Sequence, residues 1–227
     1  MRKFMVDTAQ SPAVIAEDNP PSPWKPHDHP DYDIHLSAAC QAALRALPSM
    51  PFKDLRAFVS DPRPTHRKLY EALTPPDHPE YAGTYRGEPG TSLENRIVVV
   101  QSPLGGKPQP LQSPGQVPGD MAKMWQSGLQ QLFVQQDYCT PKDVFEAAVK
   151  LFYFFGRIHP FLDGNGHIQR LIFAARIAAD SRLTLHDSWT IHPRPYDIEV
   201  ARVLELDDSV KSMQGLAREF KQHVVCR

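Results

Sequence analysis

The run Ile158-His159-Pro160-Phe161-Leu162-Asp163-Gly164-Asn165-Gly166-His167-Ile168-Gln169-Arg170 concentrates groups that handle phosphate. Pro160 disfavours the helical region for His159, and Gly164 and Gly166 permit backbone angles that other residues resist, so the chain turns sharply here. A glycine-rich lead-in to a helix start leaves backbone N–H groups and the positive end of the dipole facing an anion. Asp163 can hold a magnesium ion on a diphosphate, and the planar cation of Arg170 can pair with phosphate oxygens. Positions 163, 167 and 170 are spaced i, i+4 and i+7, which puts their side chains on one face if a helix includes all three.

This run resembles the signature of the Fic family, His-x-Phe-x-Asp/Glu-Gly-Asn-Gly-Arg-x-x-Arg. Every fixed position matches except the first Arg, which is His167 here. Ala82-Gly83-Thr84-Tyr85-Arg86 is similar to the segment leading into that family's flap, so the resemblance extends over residues 80–180. It implies an all-α, Fic-like helical bundle with a β-hairpin flap over the active site. It further implies transfer of AMP from ATP to a Ser, Thr or Tyr hydroxyl of a target protein docked along that flap, with release of pyrophosphate. In this reading His159 takes the hydroxyl proton as general base, and Asp163 binds Mg2+ on the α and β phosphates. Gly164, Asn165 and Gly166 cradle the phosphates, His167 and Arg170 contact them, and Phe161 anchors the loop inward.

His167 is the departure that matters. An imidazole is shorter than a guanidinium, carries fewer donors, and is mostly neutral near pH 7 with an ordinary pKa of about 6.5. A charge-assisted hydrogen bond contributes roughly 1.5 to 3 kcal/mol, so the exchange costs about one to two powers of ten, and His167→Arg is expected to tighten ATP. Three readings stay open: an active protein nucleotidyltransferase, an enzyme using another nucleotide or nucleotide-linked donor, and a non-enzymatic interaction module. Retention of His159, Asp163, Asn165 and Arg170 argues against the third. The resembled family also uses an inhibitory Ser/Thr-x-x-x-Glu-Gly/Asn helix against its second motif Arg. The nearest match, Glu94-Asn95, has Gly90 where Ser or Thr is needed and precedes the expected hairpin. Restraint is therefore expected from a separate regulatory protein or from target availability.

The elements that must position these groups are legible from periodicity. Thr140-Pro141-Lys142-Asp143 reads as an N-cap with Pro at the first helical position, and the apolar run Val144–Phe155 carries that helix to His159. A second helix follows over 168–179, and the two form a central pair. Ile97-Val98-Val99-Val100, the turn residues Leu104-Gly105-Gly106-Lys107 and the return at Pro108–Leu111 predict the flap hairpin, at about 95–113. Helices are expected at 37–47, 52–59, 65–73, 117–136, 196–206 and 209–224, several bounded by proline.

The 227 residues suit one core, read as a Pro-rich arm over 1–35 and a Fic-like helical domain over 36–227 with its motif at 159–170. Within the arm, His27, Asp28, His29, Asp31, Asp33 and His35 have the composition of a metal site, but nothing fixes four ligands around a point, and loop chemistry is the better reading. A net charge of -1 gives no general attraction to nucleic acid or anionic membrane. Neither is an expected obligate partner. Three scattered cysteines form no disulfide framework, and no apolar run approaches the roughly 20 residues of a membrane span, so a cytoplasmic protein is expected. Delivery into another cell would leave no mark in such features.

Overall fold

The computed structural model of the chain describes residues 24–100, 109–126, 139–193, 197–204 and 208–227. Its centre is the pair α5 (Pro141–Ile158) and α6 (Asn165–Ala178). Every residue of α6 from His167 to Ile177 is buried, which makes it a helix surrounded on all sides rather than an amphipathic one. Helices α1 (Tyr32–Ala46) and α2 (Phe52–Ser60) cover it from one side, α5 from another, and α4 (Val117–Gln126) leans on α5. Gly156 lets the two central helices close in: the Gln169 amide occupies the space of the missing side chain and donates to the Phe152 carbonyl at 2.7 Å.

Thr140 and Asp143 close a capping box at the start of α5, as the sequence predicts. The terminal pair α7 (Asp197–Leu204) and α8 (Ser209–Lys221) is anchored by Phe220. That ring lies 4.7 Å from Phe152, 5.0 Å from Phe173 and 5.1 Å from Trp189. α3 (Arg63–Tyr70) completes the wall behind the motif loop.

The flap is present as β1 (Val99–Val100) antiparallel to β2 (Gln109–Pro110), with Val99 opposite Pro110 and Val100 opposite Gln109. Its turn at 104–107 lies outside the described residues, as do the last ten residues expected in the 117–136 helix and most of the 1–35 arm. Three expectations need correction. α1 opens at Tyr32, five residues before the Ser37 expected: His35 Nε2 meets the Leu69 carbonyl at 3.0 Å, Leu36 is fully buried, and Trp24 donates to the Leu73 carbonyl at 3.0 Å. α8 stops at Lys221, because the β-branched pair Val224-Val225 continues as β4 (Val224–Cys226) against β3 (Leu183–Leu185). α6 begins at Asn165, three residues earlier than periodicity placed it. The bundle is mostly helical, as expected. No described helix is long and apolar enough to cross a membrane.

Candidate active site

His159 caps the C-terminus of α5 in the left-handed region, φ 52°, with its N–H on the Phe155 carbonyl at 2.9 Å. For a residue with a Cβ that conformation costs roughly 1 to 2 kcal/mol, so something outside the residue has to hold it. Arg86 does so. Its Nε donates to the His159 carbonyl at 2.7 Å, its Nη2 to the Ile158 carbonyl at 2.8 Å, and its backbone N–H to the Pro160 carbonyl at 2.8 Å. Arg86 is fully buried, and desolvation brings its pKa down to about 10, which leaves it a cation at neutral pH.

Gly164, at φ 77°, is the N-cap of α6. A Cβ there would overlap the Tyr70 ring, so this turn requires glycine twice over. Asp163 accepts the Gly164 N–H through Oδ1, while the N–H groups of His167 and Ile168 bond the Gly164 carbonyl at 3.1 and 3.2 Å. Asn165 and Gly166 are the first helical residues, and their N–H groups have no carbonyl one turn back within the helix. That is the geometry of an anion cradle. The Asn165 side chain does different work: Oδ1 accepts the Phe161 N–H at 2.9 Å and Nδ2 donates to the Phe161 carbonyl at 2.8 Å. It staples the loop.

Beneath the loop, the Phe161 ring stacks on His66 at 3.8 Å, and Tyr70 stacks on His66 at 4.8 Å. His66 Nδ1 accepts the Gly83 N–H at 2.9 Å, which puts the ring proton on Nε2, the donor to the Asp163 carbonyl at 3.0 Å. Burial pushes its pKa down to about 3, so it is neutral.

The structure places His167, expected from the sequence to contact phosphate, inside the protein. The ring is 1% exposed, with Nδ1 at 2.6 Å from the Tyr70 hydroxyl and Nε2 at 3.0 Å from His192 Nδ1. His192 Nε2 in turn lies 3.1 Å from Asp33 Oδ1. A carboxylate only accepts, so His192 donates from Nε2; in the tautomer with its proton there, Nδ1 accepts from His167 Nε2–H, and His167 Nδ1 accepts from Tyr70. Every link has one donor and one acceptor. An imidazole has two nitrogens, and both are engaged within the protein. The shared face of 163, 167 and 170 is not formed either, because Asp163 precedes the helix. Arg170 is 2% exposed, its Nη1 donating to the Gly166 carbonyl at 3.1 Å. It lies directly under the cradle.

His159, Asp163 and the N–H groups of Asn165 and Gly166 thus share one loop, with Arg170 one turn into the helix behind it. Sequence reasoning missed Tyr70, His66 and His192 and gave Arg86 no role. Prolines at 62 and 64 flag the start of the helix that carries His66, and Pro193 adjoins His192, but no local pattern names their distant partners. Magnesium is an oxygen-seeking ion commonly held by one or two carboxylates plus substrate phosphates. Asp163 is half-buried at the loop's lip, and among the described residues no group of three or more His, Cys, Asp or Glu could hold a metal. A lone carboxylate of this kind fits a Mg2+ ion that is also held by substrate phosphates.

Residues 63–175 match the Fic/DOC family. Comparison with curated proteins gave no match. Among solved structures, a Fic domain containing signaling protein from Bacteroides thetaiotaomicron superposes with a TM-score of 0.58 at 18% identity, covering 85% of this chain and 68% of its own. A Fic family protein from Desulfovibrio desulfuricans gives 0.52 at 19% identity, over 86% of this chain and 54% of its own. The loop, the flap strands and both central helices up to residue 175 fall inside the matched segment, so residues 63–175 are a Fic/DOC family domain, set in a Fic-type fold.

Proposed function

We propose that this protein transfers AMP from ATP to a Ser, Thr or Tyr hydroxyl of a target protein, releasing pyrophosphate. The observation that carries the reading is the placement of His159, at a fixed left-handed turn, in the same short loop as Asp163 and the open N-terminus of α6. The target oxygen attacks the α-phosphorus as its proton passes to the His159 imidazole, and the bond from that phosphorus to the α,β-bridging oxygen breaks. General-base assistance of this kind contributes roughly a hundredfold to ten-thousandfold. The N–H groups of Asn165 and Gly166 and the N-terminal dipole of α6 stabilise charge on the phosphates, with Arg170 behind them. Asp163 would hold Mg2+, which supplies charge neutralisation on the diphosphate when bound. The target docks by strand addition on the flap, where Ile97 and Val99, 55% and 42% exposed, offer apolar side chains.

A donor other than ATP is the second reading, favoured by one fact: His167 is tied up by Tyr70 and His192, so the cradle lacks the cation that the family signature places there. Incubating the protein with magnesium, a bacterial lysate and several nucleotides, followed by mass spectrometry of modified peptides, separates the two. Added AMP on a hydroxyl, lost in His159→Ala while ATP affinity persists, is the expected result. Added mass from a different nucleotide supports the second reading, and transfer unchanged in His159→Ala overturns both.

A further inference from the structure

We propose that Arg86 is the positioning residue of this site: its guanidinium holds His159 for proton transfer and ties that placement to the flap. The inference rests on the reading of His159 as the base. His159 occupies a backbone region that a residue with a Cβ avoids, and Pro160 after it disfavours the helical alternative. The conformation persists because three nitrogens of Arg86 converge on three carbonyls. Nε takes His159, Nη2 takes Ile158, and Nη1 takes Gln112, two residues beyond β2. The first two are carbonyls at the C-terminus of α5, where the helix dipole favours a cation. The third belongs to the returning arm of the flap, which is fixed in turn by the Gln112 amide on Gln116 at 3.0 Å and on Asp120 of α4.

A fully buried arginine loses a large hydration free energy, which is recovered only if its rigid fork finds acceptors in matching directions. Lysine keeps the charge but is a point donor on a flexible stem and cannot span three carbonyls on two segments. Movement of the flap on docking a target strand therefore reaches the His159 carbonyl through one rigid plane. Arg86 does not touch the reacting atoms. Its contribution is the distance and direction of the imidazole, to which reaction rates are steeply sensitive.

The test uses the full chain with Arg86→Lys and Arg86→Ala. Transfer from labelled ATP, ATP affinity by calorimetry, and histidine Cε1 NMR resonances, assigned with His159→Gln and His66→Gln, are followed in each. Arg86→Lys should lower kcat by about 10- to 100-fold with ATP affinity altered less than about threefold, and should move the His159 resonance while leaving that of His66 in place. Hydrogen exchange at residues 111–113 should quicken in the same variant. Guanidinium ion at low concentration should restore part of the rate of Arg86→Ala and none of Arg86→Lys, whose ammonium occupies the space. An unmoved His159 resonance in both variants, or a loss of kcat matched by loss of folded protein, overturns the proposal. If the wild type transfers nothing, the reading of His159 as base has failed. The NMR and exchange results then decide separately whether Arg86 sets the position of that ring.

Discussion

His167→Arg restores the residue that the family signature carries, and from sequence it should tighten ATP. The structure reverses that sign. His167 is 1% exposed, and its two nitrogens sit 2.6 Å from the Tyr70 hydroxyl and 3.0 Å from His192 Nδ1. Arginine has no acceptor to offer Tyr70, so the O–H loses the bond it donates to His167, at a cost of about 1 to 3 kcal/mol. Losing the bond to His192 adds about 1 kcal/mol, and fitting the longer side chain adds overpacking of similar size. The sum is roughly 3 to 5 kcal/mol, or a fall in melting temperature of about 6 to 20 °C for a chain of this length. Calorimetric unfolding of the wild type, His167→Arg, Tyr70→Phe and the double variant measures it. Because Tyr70→Phe has already removed the hydroxyl, His167→Arg should cost about 1 to 3 kcal/mol less in that background. A single variant that melts at or above the wild type and binds ATP more tightly would refute the argument, since the ring would then be a weak phosphate contact after all.

Gly164→Ala should destabilise the protein by about 1 to 3 kcal/mol and weaken ATP binding, because the φ of 77° and the Tyr70 ring both exclude a Cβ; unchanged melting counts against the N-cap geometry. Thr140→Ala removes one half of the capping box and should cost about 1 kcal/mol in urea unfolding while leaving ATP affinity alone, as the cap lies at the far end of α5 from His159. His66 yields a pH prediction. Its folded pKa of about 3 lies below the unfolded value of about 6.5, so between those limits the unfolded chain binds a proton that the native chain does not. Stability from this group is complete above the unfolded value and falls with pH by about 1.4 kcal/mol per unit. Urea unfolding of His66→Gln between pH 4 and 6 should show a slope shallower than wild type by about one proton; equal slopes would mean the ring is protonated in the fold.

The fold was legible where a physical cause is local. Thr140-Pro141 announces the start of α5 because capping needs only four residues, and the run from Val144 to Phe155 shows its buried face by period. Val99 and Val100 stand out as a strand for the same reason. What was missed depends on distant partners. Val224 looks like the end of α8 until Leu183 to Leu185 lies beside it and its neighbours as a strand, and the polar run before Leu36 looks like an arm until Trp24 and His35 find carbonyls at Leu73 and Leu69.

The candidate site divides along the same line. Glycines are backbone chemistry, and the turn at Gly164 could be read from the sequence because a left-handed turn into a helix is written in neighbouring residues, although the helix opens three residues earlier than periodicity put it. Side-chain roles could not. Asn165 reads as a phosphate ligand but spends its amide on Phe161, and His167 reads as a weakened arginine but accepts from Tyr70, ninety-seven residues away. The exchange of arginine for histidine is therefore not a single substitution in physical terms. A buried imidazole needs an acceptor and a donor in place, and this chain supplies both, from α3 and from the loop at His192, with Asp33 of α1 closing the line. Two separate elements meet at that one ring, and a third, α1, reaches it through His192. Such a ring holds together the wall behind the cradle, which is why its replacement should be felt first in stability and only second in affinity for phosphate.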